Sequence, residues 1–293
     1  MADIEDTKNK HRRIMRLVED SLALEAESAK EAGAVGYMAR ALVQATMPHS
    51  KPKETSFVRE NGAFSMAIMA HPKVGLPYGS VPRLLVAYLT TEAVRSKSRE
   101  IELGDTLSAF MAELGEVPTG GRWGSITRVK EQTKRLFASS IACTYTSDDR
   151  DAGVNLAVAD SYELWWNPKN PDQASMFTSF VKLGERFFEE VTQNPVPVDL
   201  RALKALKKSP MALDTYCWLT YRMSYLSKPT VIPWEALQMQ FGAEYKVTRQ
   251  FKAAFLRHLK AVLLMYPDAH VQPVEHGLEL RPSRPHIPKL PKR

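Results

Sequence analysis

A chain of 293 residues is long for one hydrophobic core and comfortable for two domains of about 100 to 150 residues each. Its hydrophobic fraction of 44% excludes wholesale disorder, and no apolar run approaches the roughly 20 residues a membrane span needs. The net charge is +7, and the surplus is local: Val196 to Arg293 carries 16 Lys/Arg against 7 Asp/Glu, while the rest of the chain is slightly acidic. A charge kept only for solubility would be spread more evenly, so the last third is where a polyanionic partner is expected.

The first forty residues have helical spacing, with Ile14, Leu17, Val18 and Leu22 on one side and Lys and Glu on the other. Residues 1–45 read as a helical arm that needs a partner surface, or as a solvated tail. Phe64 to Met69 predicts a strand and Val81 to Val94 a helix burying Leu84, Leu85, Tyr88 and Leu89. Glu100 to Leu103 predicts a short strand, and Asp105 an N-cap for a helix over 106–114 that Gly115 stops. After the turn Thr119-Gly120-Gly121 a longer helix is expected from about Trp123 to Ser139. Ile141 to Thr146, Asn155 to Trp166 and Ser175 to Val191 are rich in β-branched or aromatic residues and read as strands.

Gln193 to Pro197 is the best linker, because Pro195 and Pro197 deny the backbone a helix. Beyond it the order repeats. Helices are predicted over 200–207 and 211–226, an extended piece over 230–232, and a short helix over 234–241 behind Pro233. A long helix follows over 246–265, then a hairpin from Val271–Val274 and Leu278–Arg281 around Glu275-His276-Gly277. The last dozen residues, with Pro282, Pro285, Pro288 and Pro291, read as a Pro/Lys-rich tail. The expected fold is α+β: tandem winged-helix domains at 46–192 and 197–281, an N-terminal helical arm at 1–45, and the tail at 282–293.

Advancing 100° per residue along the long helix places Ala254, Phe255, His258, Leu259 and Val262 beside Phe251 on one apolar face. Lys246, Arg249, Lys252, Arg257 and Lys260 lie opposite, with Gln250 beside them and Thr248 in the first turn. Such a helix can lie in the major groove, its cations on phosphates and its Arg or Gln on base edges. An ordinary solvated face is the bland alternative. His258 reads as a satisfied core histidine. The hairpin would be a wing, with His276 and Arg281 at backbone or minor groove. The corresponding helix of the first domain carries Arg128, Lys130, Lys134 and Arg135, but Glu131 lies among them. A subunit contact and weaker DNA contacts both fit it.

Catalytic signatures are missing: no GxxxxGK[ST], no HExxH, and no pair of histidines flanking one apolar residue. Asp148, Asp149 and Asp151 could hold Mg²⁺, but a turn between strands accounts for them. Cys143 and Cys217 suit neither a disulfide framework nor a zinc site. No secretory signal is visible, so the compartment reads as cytoplasmic. The expectation is a protein without catalytic residues, metal or cofactor.

Several stretches are similar to the plasmid-encoded RepA replication initiators. They are GYMARALVQATMPHS (36–50), GLPYGSVPRLLVAYLTTEAVRS (75–96), LGDTLSAFMAELG (103–115), TGGRWGSITRVKEQTKRLF (119–137), PVDLRALKALKKSPMALDTYCWLTYRM (197–223), WEALQMQFG (234–242) and FKAAFLRHL (251–259). The resemblance implies a protein that binds repeated double-stranded DNA sites (iterons) at a plasmid origin. It also implies help in opening A·T-rich duplex, recruitment of the host initiator and helicase, and repression of its own promoter as a homodimer. A transcriptional repressor without initiator activity, or an origin-nicking enzyme, are the alternatives. DNA contacts are taken from the helix geometry, not from the resemblance.

Overall fold

The computed structural model describes residues 2–242 and 245–288. Among them are ten helices and twelve strands. The chain opens with α1 (Ala2–Ala26), β1 (Val35–Ala39), α2 (Arg40–Gln44), β2 (Ser56–Asn61) and β3 (Phe64–Met69). Next come α3 (Ser80–Ser96), β4 (Glu100–Glu102), α4 (Leu107–Glu113), α5 (Ser125–Phe137), β5 (Ser140–Ser147), β6 (Arg150–Ala157), β7 (Ala159–Glu163), β8 (Phe180–Leu183) and α6 (Glu185–Gln193). The last third holds β9 (Pro195–Asp199), α7 (Leu200–Leu206), α8 (Pro210–Met223), β10 (Thr230–Pro233), α9 (Trp234–Phe241), α10 (Thr248–Met265), β11 (Val271–Val274) and β12 (Gly277–Leu280).

The chain forms two compact units. A central unit comprises Tyr37–Val196 and Glu235–Glu244; a C-terminal unit comprises Met1–Gly36, Pro197–Trp234 and Tyr245–Arg293. The first 36 residues thus fall with the last third of the chain rather than standing as a separate arm. The expected linker is not an open connection, because Pro195 and Pro197 lie in β9, which pairs with β1 as a two-stranded sheet. Proline suits such a ribbon, where each strand has a free edge.

In the central unit α3 packs against both α5 and α6, and its Leu85, Val86, Leu89 and Ala93 are buried. The sheet order is β4–β8–β7, and an inserted hairpin, β5–β6, joins β2–β3 in a four-stranded antiparallel sheet. Several local expectations are corrected here. The cap of α4 is Thr106, whose hydroxyl accepts from the Ala109 N–H at 3.0 Å, not Asp105. The stretch 155–166 is divided between β6 and β7, which belong to different sheets. The stretch 175–191 is a short strand and then a helix, because Phe187 and Val191, one turn apart, face the core. The acidic run is a turn: Asp148 and Asp149 join β5 to β6, and Asp151 accepts from the Thr146 hydroxyl at 2.8 Å.

In the C-terminal unit α10 packs on α8, α7 and α1. Its inner face is Phe251, Ala254, Phe255, Leu259, Val262 and Met265, all buried. Removing each large side chain from water contributes about 1.5–3 kcal/mol. The sheet order is β10–β12–β11, antiparallel, with Leu280 opposite both Thr230 and Val271. Gly277 lies in β12 rather than in the turn; a Cβ there would come 2.2 Å from the Ile232 carbonyl oxygen, so only glycine lets β10 close on the hairpin. The order helix, strand, helix, helix, two strands, with the first strand bonded to the last, is therefore the same in α3–β4–α4–α5–β7–β8 and in α8–β10–α9–α10–β11–β12.

The arm is docked by its C-terminal half: the Ser21 hydroxyl donates to the Leu264 carbonyl at 2.6 Å, and Arg201 donates to the Glu27 carbonyl at 2.9 Å. Ser21 is buried, whereas Ile14, Met15, Val18 and Leu22 face solvent. Residues 282–288 of the expected tail form no helix or strand, yet they are held: Tyr266 donates to the Arg284 carbonyl at 2.6 Å, and Ile287 is buried. The rest of that tail, residues 289–293, lies outside the described residues.

Candidate nucleic-acid interface

The expected face of α10 is open. Arg249, Gln250, Arg257 and Lys260 are exposed, and Thr248 is half-buried. Lys246, also exposed, lies before the helix, which begins at Thr248 and not at 246 as expected. Among the described residues no carboxylate pairs with Lys246, Arg249, Arg257 or Lys260. From Arg249 to Lys260 the helix rises about 16 Å, so these cations form a rod-like positive edge roughly as long as five base pairs. The first turn holds no acid, and the N-cap, Val247, offers the free amides no side-chain acceptor, so the helix end adds to the positive field.

Lys252 differs from its neighbours. Its ammonium stands 4.6 Å from the centroid of the Trp234 ring, and Trp234 is buried with its indole N–H donating to the Val274 and Glu275 carbonyls at 3.3 and 3.2 Å. Trp234 thus ties the hairpin to the helix and draws Lys252 toward the fold. Sequence reasoning had no signal for Trp234 in this role, since 18 positions separate it from Lys252. His258 is half-buried rather than fully in the core, and its Nδ1 lies 3.0 Å from the Ser209 hydroxyl that caps α8.

In the hairpin, His276 is exposed at the tip beside Glu275, with 3.7 Å between them. Arg281 is exposed but paired with Glu279 at 3.1 Å. Alternation along a strand puts residues two apart on one face, so that pair was readable in the sequence.

Two of the four cations expected on α5 are engaged by their own unit. Arg128 pairs with Glu116 at 3.1 Å. Arg135 is half-buried, donating to the Leu76 carbonyl at 3.2 Å with its guanidinium 5.5 Å from the Tyr78 ring centroid. Gly75 makes room for it, since a Cβ there would lie 2.5 Å from the guanidinium. Lys130 is half-buried and Lys134 exposed. Cys143 is buried, and burial pushes its thiol up to about 11, so it stays protonated at neutral pH. Among the described residues no cluster of three or more His, Cys, Asp or Glu is arranged to hold a metal, and no helix is long and apolar enough to cross a membrane.

A model of the plasmid-encoded RepA protein family matches residues 76–236, just over half of the chain. This chain belongs to the plasmid-encoded RepA family of replication initiators. The match takes in α3, α5, α8 and the start of α9. No curated protein matches significantly. Two solved structures share the mixed helix-and-sheet fold of this RepA-family chain. One, of RctB domains 2 and 3, has a TM-score of 0.52 at 11% identity, covering 82% of this chain and 96% of that one. The other, a selenomethionine derivative of the same two domains, has a TM-score of 0.54 at 10% identity, covering 85% and 99%.

Proposed function

We propose that this RepA-family protein initiates plasmid replication by sequence-specific binding of repeated origin sites, without catalysing a reaction itself. Residues 197–281 are the main DNA-reading domain, a winged helix with α10 in the major groove and the β11–β12 hairpin as its wing. Residues 46–192 are a second winged helix with weaker DNA contacts and a part in dimerisation. One observation carries the reading: among the described residues Arg249, Arg257 and Lys260 pair with no carboxylate, on a helix whose opposite face is locked in a core. A helix so placed can give its outer side to a duplex without disturbing the fold. The sheet order β10–β12–β11 beside α8 and α10 supports the winged-helix assignment.

Binding energy directed into bending and unstacking origin DNA would promote opening and admit the host initiator and helicase. A homodimer of the same protein would repress its own promoter. Self-association is supported by the exposed apolar stripe of α1, where Ile14, Val18 and Leu22 recur at four-residue spacing beside Met15.

Selection of bound sequences from random duplexes by the purified chain tests the reading. Recovery of one recurring motif is expected, and a plasmid carrying copies of it should then replicate only when the protein is supplied. Recovery of no motif removes sequence-specific binding. A recurring motif without replication makes the protein a repressor. Nicking of a supercoiled plasmid in Mg²⁺ or Mn²⁺ would make it an enzyme.

A further inference from the structure

The turn between α4 and α5 is built as a rigid platform. The Thr119 N–H donates to the Ser125 hydroxyl oxygen at 2.8 Å, and the Ser125 N–H donates to the Thr119 hydroxyl oxygen at 2.9 Å. The Ser125 hydroxyl donates to the Val117 carbonyl at 2.6 Å, and the Thr127 hydroxyl to the Gly121 carbonyl at 3.0 Å. Gly124 sits so close beneath the turn that a Cβ would lie 2.1 Å from the Thr119 carbonyl oxygen. From this braced turn Arg122 and Trp123 project outward. Trp123 is 85% exposed, and the Arg122 guanidinium lies 5.1 Å from its ring centroid. Among the described residues Arg122 pairs with no carboxylate.

Topology says what such a platform faces. The two series of elements, α3 to β8 and α8 to β12, repeat one order of helices and strands with one sheet order, which makes α5 the counterpart of α10. In both, a cation and then an exposed apolar side chain come just before that helix: Arg122 and Trp123 in one, Lys246 and the half-exposed Val247 in the other. Two of the four cations along α5 are engaged, Arg128 by Glu116 and Arg135 toward Leu76, while Lys134 is exposed. The turn therefore adds to the central unit a free cation that a polyanion can meet beside the helix. A phosphodiester strand supplies the two things this pair lacks, an anion for the guanidinium and a sugar face for the indole. A rigid turn loses little conformational freedom when it binds.

We propose that Arg122 and Trp123 form a contact of the central unit with duplex DNA, Arg122 on a phosphate and Trp123 packed on the adjoining sugar. The inference rests on the DNA-binding function proposed above. Trp123→Ala and Arg122→Ala in the full chain are each expected to weaken binding of the selected duplex about tenfold. Arg122→Ala should also lower the slope of log affinity against log salt by about one, and Trp123→Phe should retain most of the affinity. Thermal unfolding should match wild type, because Trp123 is almost wholly in solvent. Iodide quenching of tryptophan fluorescence should fall when duplex is added to wild type and not when it is added to Trp123→Phe. If both alanine variants bind as wild type does while Arg257→Ala does not, this inference is overturned and DNA binding stands. If wild type itself binds no duplex, both fall.

Discussion

The Tyr216 hydroxyl stands 2.7 Å from Nδ1 of His286. That same oxygen accepts from the Asp199 N–H at 2.9 Å, so the buried phenol bridges the backbone of Asp199 and the imidazole ring. His286 also stacks on Tyr266 with 4.8 Å between centroids. Together these contacts hold the proline-rich end of the chain against α8 and the end of α10.

The pH dependence follows from that geometry. Burial lowers the His286 pKa; Asp199 and Asp268 oppose the shift and Arg201 adds to it. The unfolded imidazole, near 6.5, binds a proton more readily than the folded one. Its contribution is therefore complete above about pH 6.5 and is lost as pH falls from there through the lowered folded value. Thermal unfolding between pH 7.5 and 5 should show stability declining with acidity. His286→Phe, which keeps a ring against Tyr266 but cannot titrate, should flatten the decline. An unchanged slope would mean that His286 is not its source.

Base reading and phosphate contact separate by specificity. Arg249→Ala and Arg257→Ala should each cost about 1–3 kcal/mol on the selected site if the side chain reads a base, with a smaller loss on random duplex. Equal losses on both would demote the residue to a phosphate contact. Titrations by fluorescence anisotropy at several salt concentrations decide between them, and affinity of wild type should fall steeply with salt.

Lys252 and Lys260 look alike in the sequence and should behave differently. Lys260 is exposed, so Lys260→Ala should lower the salt slope by about one and leave thermal stability alone. Lys252 lies over Trp234, so Lys252→Ala should cost about 0.5–1 kcal/mol of stability and change the salt slope less. Chemical denaturation paired with salt titrations of both variants provides the check.

The outer stripe of α1 bears on assembly. Leu22 is exposed while Ser21, its neighbour, is buried against α10. Leu22→Glu should shift a dimer to monomer in sedimentation without loss of helicity by circular dichroism. A dimer that survives the change at the same concentration would place the subunit contact elsewhere.

Periodicity made much of this molecule legible. The inner and outer faces of α10, the short α9 behind Pro233 and the final hairpin are written in residue spacing, because helix and strand repeats are set by local geometry. The region from Val35 to Asn61 was not legible: β1, α2 and β2 are short and gain their stability from partners far away in the chain. Likewise, the fall of residues 1–36 in with the last third depends on contacts such as Ser21 with Leu264, which no local pattern encodes.

What the amino-acid order determined by itself is where cations gather and which side of α10 turns inward. Which of those cations are left free is a tertiary matter. Arg128 meets Glu116, Arg135 meets Leu76 and Tyr78, and Lys252 meets Trp234, each across a turn or longer stretch of chain that folding alone brings together. A charge is available to a polyanion only when the fold has not already matched it, and that matching depends on distances in space rather than along the chain.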